Sequence, residues 1–475
     1  MSQNIENHRT SRTFDLAVIG AGSAGFAAAI GAAELGASVA LIGHGTIGGT
    51  CVNVGCVPSK TLIRAAETLH LAKSASRFQG IEVRAGLTDW QAVQAQKDEL
   101  VGAMREAKYR NLLNEYDGIS YLEGAATLGP GSISVAGAPL VAGKTIVATG
   151  ARAAIPAIPG LQDVPFLTST EALELKELPA SLIVMGGGYV GLELAQMFAR
   201  FGVSVTVVCR SRLLPHIEPE LSDALEGYLV AEGLSIRKGV TYHRVAEEEG
   251  RIVLSIAVDG RLERISGDKL LVAAGRIPNS QDLGLESVGV ALGAEGGVLV
   301  DDFLRTTNEN IYAVGDVTGR DMYVYMAAYG GKWAAENALN GGEHRYDAEA
   351  MPAVTFTDPQ VATVGLTEAR ARERNVDVKT SVLPLDAVPR ALAARDTRGL
   401  IKLVADRATD RLLGAHILAP EAGDSIQTAA IAIKARMRVA DLAATIFPYL
   451  TTVEGLKLAA QTFDKDVSKL SCCAG

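Results

Sequence analysis

Twice in this chain an apolar run stops at a triplet of glycines, resumes as a helix-like segment, and is followed by a second apolar run. The first copy reads FDLAVIGAGSAGFAAAIGAAELGASVALIG, with Gly20, Gly22 and Gly25, and its helical segment closes at Gly36. The second reads SLIVMGGGYVGLELAQMFARFGVSVTVV, with Gly186, Gly188 and Gly191 at the same spacing and Gly202 closing the helix. A glycine triplet alone says little, but between a strand and a helix each glycine has a task. The first permits the tight turn, the second lets backbone approach a pyrophosphate, and the third lets helix and strand pack closely. The helix N-terminus then offers free N–H groups to the phosphates. Two copies imply two dinucleotide sites and an α/β fold.

The residues just past each second strand bear on which nucleotide binds. After VTVV come Cys209, Arg210, Ser211 and Arg212: no acid to accept from a ribose 2′-hydroxyl, and two guanidiniums able to fork onto a 2′-phosphate. NADPH is favoured over NADH there, and Cys209 reads as a strand-end residue without redox duty. After VALI come Gly43 and His44 where an acid is expected, so the adenosine ribose contact of the first site has no assigned residue.

With 475 residues the chain has room for about three domains. Forty-five basic against 54 acidic residues leave a net charge of -9 without a long basic run, which argues against nucleic acid as a partner. The N-terminus MSQNIENHRTSRTFD is polar and lacks the apolar core of a secretory signal. Leu16 to Ala33 is uncharged and reaches the length of a membrane span, yet its glycines divide it into strand, turn and helix, so no membrane insertion is expected. Five scattered cysteines make no secreted disulfide scaffold, and seven histidines form no ligand-spaced zinc cluster. These features point to a cytoplasmic, multidomain protein.

Between the two glycine units lies GGTCVNVGCVPSK. Cys51 and Cys56, with four residues between them, stand at the expected start of a helix running from about Pro58. A thiolate at a helix N-terminus is stabilised by the dipole and becomes a competent nucleophile or soft-metal ligand. The glycine-rich, polar flanks do not suit two buried structural cysteines. The chain ends LSCCAG, which places Cys472 and Cys473 side by side in a tail.

GGTCVNVGCVPSK resembles the redox-active signature of the flavin-dependent pyridine nucleotide disulfide oxidoreductases, class I, which include lipoamide dehydrogenase, glutathione reductase and mercuric reductase. IVATGARAAIP, LLVAAGRIPN, TNENIYAVGDVTG and MPAVTFTDPQVATVGLTE extend the resemblance over nearly the whole chain. It implies two Rossmann-like dinucleotide-binding domains plus a C-terminal α+β dimerisation domain. Their expected boundaries are 1–155 for the first part of the FAD domain, 156–275 for the NADPH domain, 276–350 for the second part of the FAD domain and 351–475 for the dimerisation domain.

By the same resemblance the first triplet holds FAD, with Gly49, Thr50, Thr149 and Gly150 nearby and Asp316 bonding the ribityl chain. The second triplet holds NADPH, with Gly275. Lys60 and Glu193 resemble the ion pair beside the flavin ring, and Cys56 the sulfur nearest it, with Cys51 the outer, exchanging one.

Disulfide-reducing members carry His-Pro and then Glu near the C-terminus, supplied across a homodimer interface. The corresponding stretch here is FPYLTTVEG, which keeps Glu454 and places Tyr449 at the histidine position. A phenol, titrating near ~10 as a class, is a poor acid–base shuttle at neutral pH, whereas an imidazole titrates in range. The tyrosine and the terminal CCAG resemble the mercuric-ion-reducing branch. Mercuric ion is soft and moves between thiol pairs, so Cys472 and Cys473 of the partner subunit would take it from small-thiol complexes and pass it to Cys51 and Cys56. Tyr449 would contact the metal or its thiolates. Tyr189 would cover the nicotinamide pocket, approach the metal, or simply pack. The chain enters its first glycine unit at once, so delivery is expected to rest on the C-terminal dithiol alone. The competing expectation is a disulfide reductase such as a dihydrolipoamide dehydrogenase, against which the missing histidine and the arginines after VTVV argue.

Overall fold

The computed structural model describes residues 12–469, so Cys472 and Cys473 lie outside the described residues. The chain divides into two compact units. Among the described residues the first combines 12–58 with Ala95–Ala154 and Arg276–Asp347, and the second combines Ser59–Gln94, Ile155–Gly275 and 348–469.

The first glycine motif opens the first unit as strand β1 (Arg12–Ile19), helix α1 (Ser23–Glu34) and strand β2 (Val39–Gly43). Leu16, Ala17 and Val18 are fully buried, as a parallel strand covered on both faces requires. Three further helices come next along the chain: α2 (Gly49–Val54), α3 (Cys56–Lys73) and α4 (Trp90–Arg105). Strand β3 (Ile119–Glu123) then pairs in parallel with β2. The sheet runs β3, β2, β1, Ala138–Val147, Ser132–Val135, Ala126–Gly129, and Ile311–Ala313 pairs in parallel with Ala138–Val147. The alanine-rich face of α1 lets helix Val324–Asn340 approach closely: a Cβ on Gly331 would stand 2.3 Å from the Ala24 carbonyl oxygen.

In the second unit the other glycine motif builds a parallel sheet in the order Ser235–Arg237, Ser204–Val208, Ser181–Met185, Lys269–Val272, Phe166–Leu167. An antiparallel meander, Thr241–Glu248, Arg251–Val258 and Arg261–Gly267, accompanies it. A five-stranded antiparallel sheet from Pro352–Thr355 to Leu412–Ala419 carries helices Ala422–Lys434 and Glu454–Gln461. The α/β class expected from the glycine units is the one adopted. The apolar stretch from Leu16 to Ala33 is strand, turn and helix, and among the described residues no helix is long and apolar enough to cross a membrane.

One expectation needs correction. The cysteines do not share the start of a single helix from Pro58. Cys51 lies inside α2, Gly55 breaks the chain, and Cys56 is the first residue of α3. Pro58 is therefore the third residue of α3, a first-turn position where its missing N–H costs nothing.

Candidate active site

Gly20 has φ +121°, and a Cβ on it would sit 2.2 Å from the Ala148 carbonyl oxygen. A Cβ on Gly25 would lie 1.7 Å from the Gly20 carbonyl oxygen. Gly22 caps α1 without any side-chain hydrogen bond, which leaves the first-turn N–H groups facing outward. The second loop repeats this arrangement. Gly186 has φ +126°, a Cβ on Gly191 would meet the Gly186 carbonyl oxygen at 2.3 Å, and a Cβ on Gly188, cap of helix Tyr189–Arg200, would meet nothing within 4 Å. Both loops are cradles that any side chain would fill, and they suit the pyrophosphates of FAD and NADPH.

Backbone contact joins the cysteine segment to the first loop. Gly48 and Gly49 are both left-handed, at φ +97° and +67°, and a Cβ on Gly49 would lie 2.7 Å from Gly22 Cα. Thr50 and Cys51 come next inside α2, and the return at Gly55 is so tight that a Cβ there would meet the Thr50 carbonyl oxygen at 2.8 Å. Cys51 and Cys56 are both half-buried. No local sequence pattern announces what fixes this hairpin of helices. Buried Asn53 donates through Nδ2 to the Ile47 and Gly49 carbonyls at 2.9 and 2.8 Å and accepts from Arg105 Nη1 at 3.0 Å. Arg105 is 52 residues away, beyond the reach of any such pattern.

Asp316 occupies the turn Gly315–Thr318. Burial raises its pKa, and Arg276, whose Nε lies 3.6 Å from Asp316 Oδ2, opposes that rise. Thr149 and Gly150 are clasped by Asn279: the Thr149 hydroxyl donates to the Asn279 carbonyl at 2.6 Å, and the Asn279 backbone N–H donates to the Gly150 carbonyl at 2.9 Å.

In the second unit Lys60, on α3, donates to Glu193 Oε2 at 2.6 Å and lies 4.8 Å over the Phe356 ring. Glu193 is buried, and its other oxygen accepts from the Phe356 N–H at 2.9 Å. Tyr189 is the first residue of its helix and half-buried, while Gly275 is left-handed at φ +124°. Arg210 is exposed, but one nitrogen of Arg212 donates to the Pro215 and Ile217 carbonyls at 3.0 and 2.5 Å. Burial pushes the Cys209 thiol up to about 11, so it stays protonated at neutral pH. Tyr449 stands 52% exposed in the loop before helix Glu454–Gln461, beside exposed Ile446 and Leu450. Glu454 is buried and accepts from the Leu450 N–H at 3.2 Å.

Residues 14–331 match the pyridine nucleotide-disulphide oxidoreductase family model, and residues 351–460 match the dimerisation domain of the same name. The chain belongs to the pyridine nucleotide-disulphide oxidoreductase family. Within that family it is 49% identical to mercuric reductase of Lysinibacillus sphaericus, over 97% of this chain and 85% of the relative. It is 48% identical to mercuric reductase of Streptomyces lividans, over 97% of this chain and 98% of the relative. Among solved structures, the HOCl-induced flavoprotein disulfide reductase RclA from Escherichia coli superposes with a TM-score of 0.83 at 32% identity, covering 94% of this chain and 99% of that one.

Proposed function

We propose that this oxidoreductase uses NADPH to reduce mercuric ion to elemental mercury through FAD and the Cys51–Cys56 pair. The observation that carries the reading is the close backbone approach of Gly49, first residue of the Cys51-bearing helix α2, to Gly22 in the first dinucleotide loop. Full-length likeness to mercuric reductases selects the substrate from among those open to the family.

Bound FAD supplies the hydride acceptor and the two-electron relay. The chain's own groups do the rest. The loops of Gly20, Gly22 and Gly25 and of Gly186, Gly188 and Gly191 hold the two pyrophosphates on helix N-termini. Exposed Arg210 is the guanidinium for the NADPH 2′-phosphate, with Arg212 bracing the loop behind it. Asp316 holds the ribityl chain, and paired Lys60 and Glu193 fix a charge one helical turn beyond Cys56. As the Cys51–Cys56 disulfide accepts two electrons and two protons, its S–S bond breaks and both thiols are freed. The dipole of α3 favours the thiolate of Cys56 at the helix start.

Mercuric ion then exchanges from carrier thiolates onto Cys51 and Cys56, Cys51 receiving it first. It takes two further electrons from NADPH and leaves as neutral metal, for which thiolate has little affinity. Delivery falls to Cys472 and Cys473 of the partner subunit in a homodimer, and the exposed loop of Ile446, Tyr449 and Leu450 suits burial against a second copy. Tyr449 contacts the metal or its thiolates there. A cytoplasmic location fits a chain that needs reduced thiols and NADPH.

The test is NADPH oxidation with mercuric ion in excess small thiol, run beside lipoamide and glutathione disulfide. Rapid oxidation is expected with mercury and little with either disulfide; the reverse order would make the protein a disulfide reductase. Replacing Cys472 and Cys473 together by alanine should cut turnover of thiol-bound mercury by at least about ten-fold, given the preference of soft metal for thiolate. Unchanged turnover would remove the tail from the delivery route.

A further inference from the structure

Strand β2 ends at Gly43, where this kind of nucleotide fold ordinarily presents a carboxylate to the adenosine ribose. The space a side chain would occupy there is already filled. A Cβ on Gly43 would lie 2.5 Å from the hydroxyl oxygen of Tyr121, 2.8 Å from its ring and 2.9 Å from the Cβ of Ala21. Ala21 lies between Gly20 and Gly22, so the phenol oxygen and the phosphate-binding turn both border the space that a side chain at Gly43 would take. Tyr121 reaches this place from the neighbouring strand: β3 pairs Tyr121 with Leu41 and Glu123 with Gly43, and alternate residues share a face.

The surroundings suit a neutral hydroxyl. Burial and the Glu123 carboxylate raise the Tyr121 pKa, against the lowering effect of the Arg110 guanidinium, so the phenol keeps its proton and can donate. Arg110 ends the π-helical turn Glu106–Arg110, a kind of irregularity frequent at functional sites. The same turn places the Tyr109 hydroxyl 3.4 Å from Ser23 Oγ, at the start of α1.

We propose that the Tyr121 hydroxyl takes over the role of the missing carboxylate and hydrogen-bonds the adenosine ribose 2′-hydroxyl of the dinucleotide in the first glycine site. The proposal rests on the reading that this site holds FAD. It explains how a chain with glycine at position 43 still recognises the adenosine end, by a neutral group from the next strand.

The experiment strips the flavin from the full-length protein and titrates FAD back, following quenching of flavin fluorescence. Two ligands are used, FAD and its 2′-deoxyadenosine analogue. The wild type should bind the analogue about three- to ten-fold more weakly than FAD, the loss expected for one neutral hydrogen bond. Tyr121→Phe, which keeps the ring and hence the packing, should weaken FAD by the same factor and abolish the discrimination between the ligands. Equal affinity of the wild type for both ligands would overturn the proposal, as would a Tyr121→Phe variant that still discriminates. If the wild type bound no FAD at all, it is the underlying assignment of the site that would fall.

Discussion

Serine at Cys51 or Cys56 should lower mercury-dependent NADPH oxidation at least about a thousand-fold, and the double variant should be no worse than either single one. The cause is chemical rather than structural. A soft cation binds thiolate far more strongly than hydroxyl, and one sulfur alone can neither form the disulfide nor hold the metal between two ligands. The substitution is nearly isosteric, and the groups that shape α2 are elsewhere: the Asn53 bonds to Ile47, Gly49 and Arg105, and the left-handed pair Gly48–Gly49. FAD content and the bleaching of bound flavin by NADPH should therefore persist in both variants. Steady-state turnover and stopped-flow bleaching, measured together, locate the defect. A Cys56→Ser enzyme retaining a tenth or more of wild-type turnover would show that the metal is reduced elsewhere.

The largest effect on stability is expected at Lys402. This side chain is 2% exposed, and its ammonium donates to Glu218, Glu220 and Glu368 at 2.9, 2.7 and 2.9 Å. It thereby ties strand Leu400–Asp406 to the starts of two helices, Pro219–Ala231 and Glu368–Glu373. Glu218 is equally buried and also accepts from the Glu368 N–H at 2.6 Å, with His416 Nε2 3.8 Å away. Burial lowers the His416 pKa, so this imidazole is neutral near pH 7 and cannot replace the cation.

Lys402→Met removes the ammonium on which three carboxylates converge and should cost about 3–5 kcal/mol, the usual penalty for breaking a buried pair. The sign of the pH dependence is set by the direction of each shift. Lys402 is raised by its partners, so its contribution is complete below the unfolded lysine pKa and is lost only as pH climbs through the folded value. Glu220 is lowered by Lys402, so its contribution is present above the unfolded carboxylate pKa and fades as pH falls through the folded value. The wild-type cluster is thus fully effective between about pH 5 and 9. In the variant the bare carboxylates relieve their repulsion by taking up protons. The gap in urea midpoint between variant and wild type should be widest at about pH 7–9 and narrow below about pH 5. A gap that widened on acidification would refute this description of the cluster.

The parts of the site visible in the sequence are those where one residue type is forced by local geometry. The loop glycines were legible because positive φ and contacts as short as 1.7 Å admit nothing larger. The cysteine pair was legible from its polar, glycine-rich flanks. Its helix boundary was not, because proline is favoured at the first helical position and drew the expected start to Pro58, whereas α3 begins at Cys56. Lys60 and Glu193 could be paired only through family resemblance, since 133 residues separate them. The Asn53–Arg105 bond, the Tyr121 hydroxyl beside Gly43 and the Lys402 cluster left no trace in any local pattern. Each is made by side chains that the sheets and helices bring together from far apart in the chain, and none of those residue types is unusual where it stands.

The central claim is that electrons from NADPH reach mercuric ion held by Cys51 and Cys56. It is tested most directly by mixing purified enzyme anaerobically with a limiting amount of NADPH and excess thiol-complexed mercuric ion, then trapping the vapour. Beyond the one NADPH per site that opens the Cys51–Cys56 disulfide, the account predicts one elemental mercury atom released for each NADPH consumed. NADPH oxidised without mercury vapour, or vapour released at the same rate when both cysteines are serine, would contradict it.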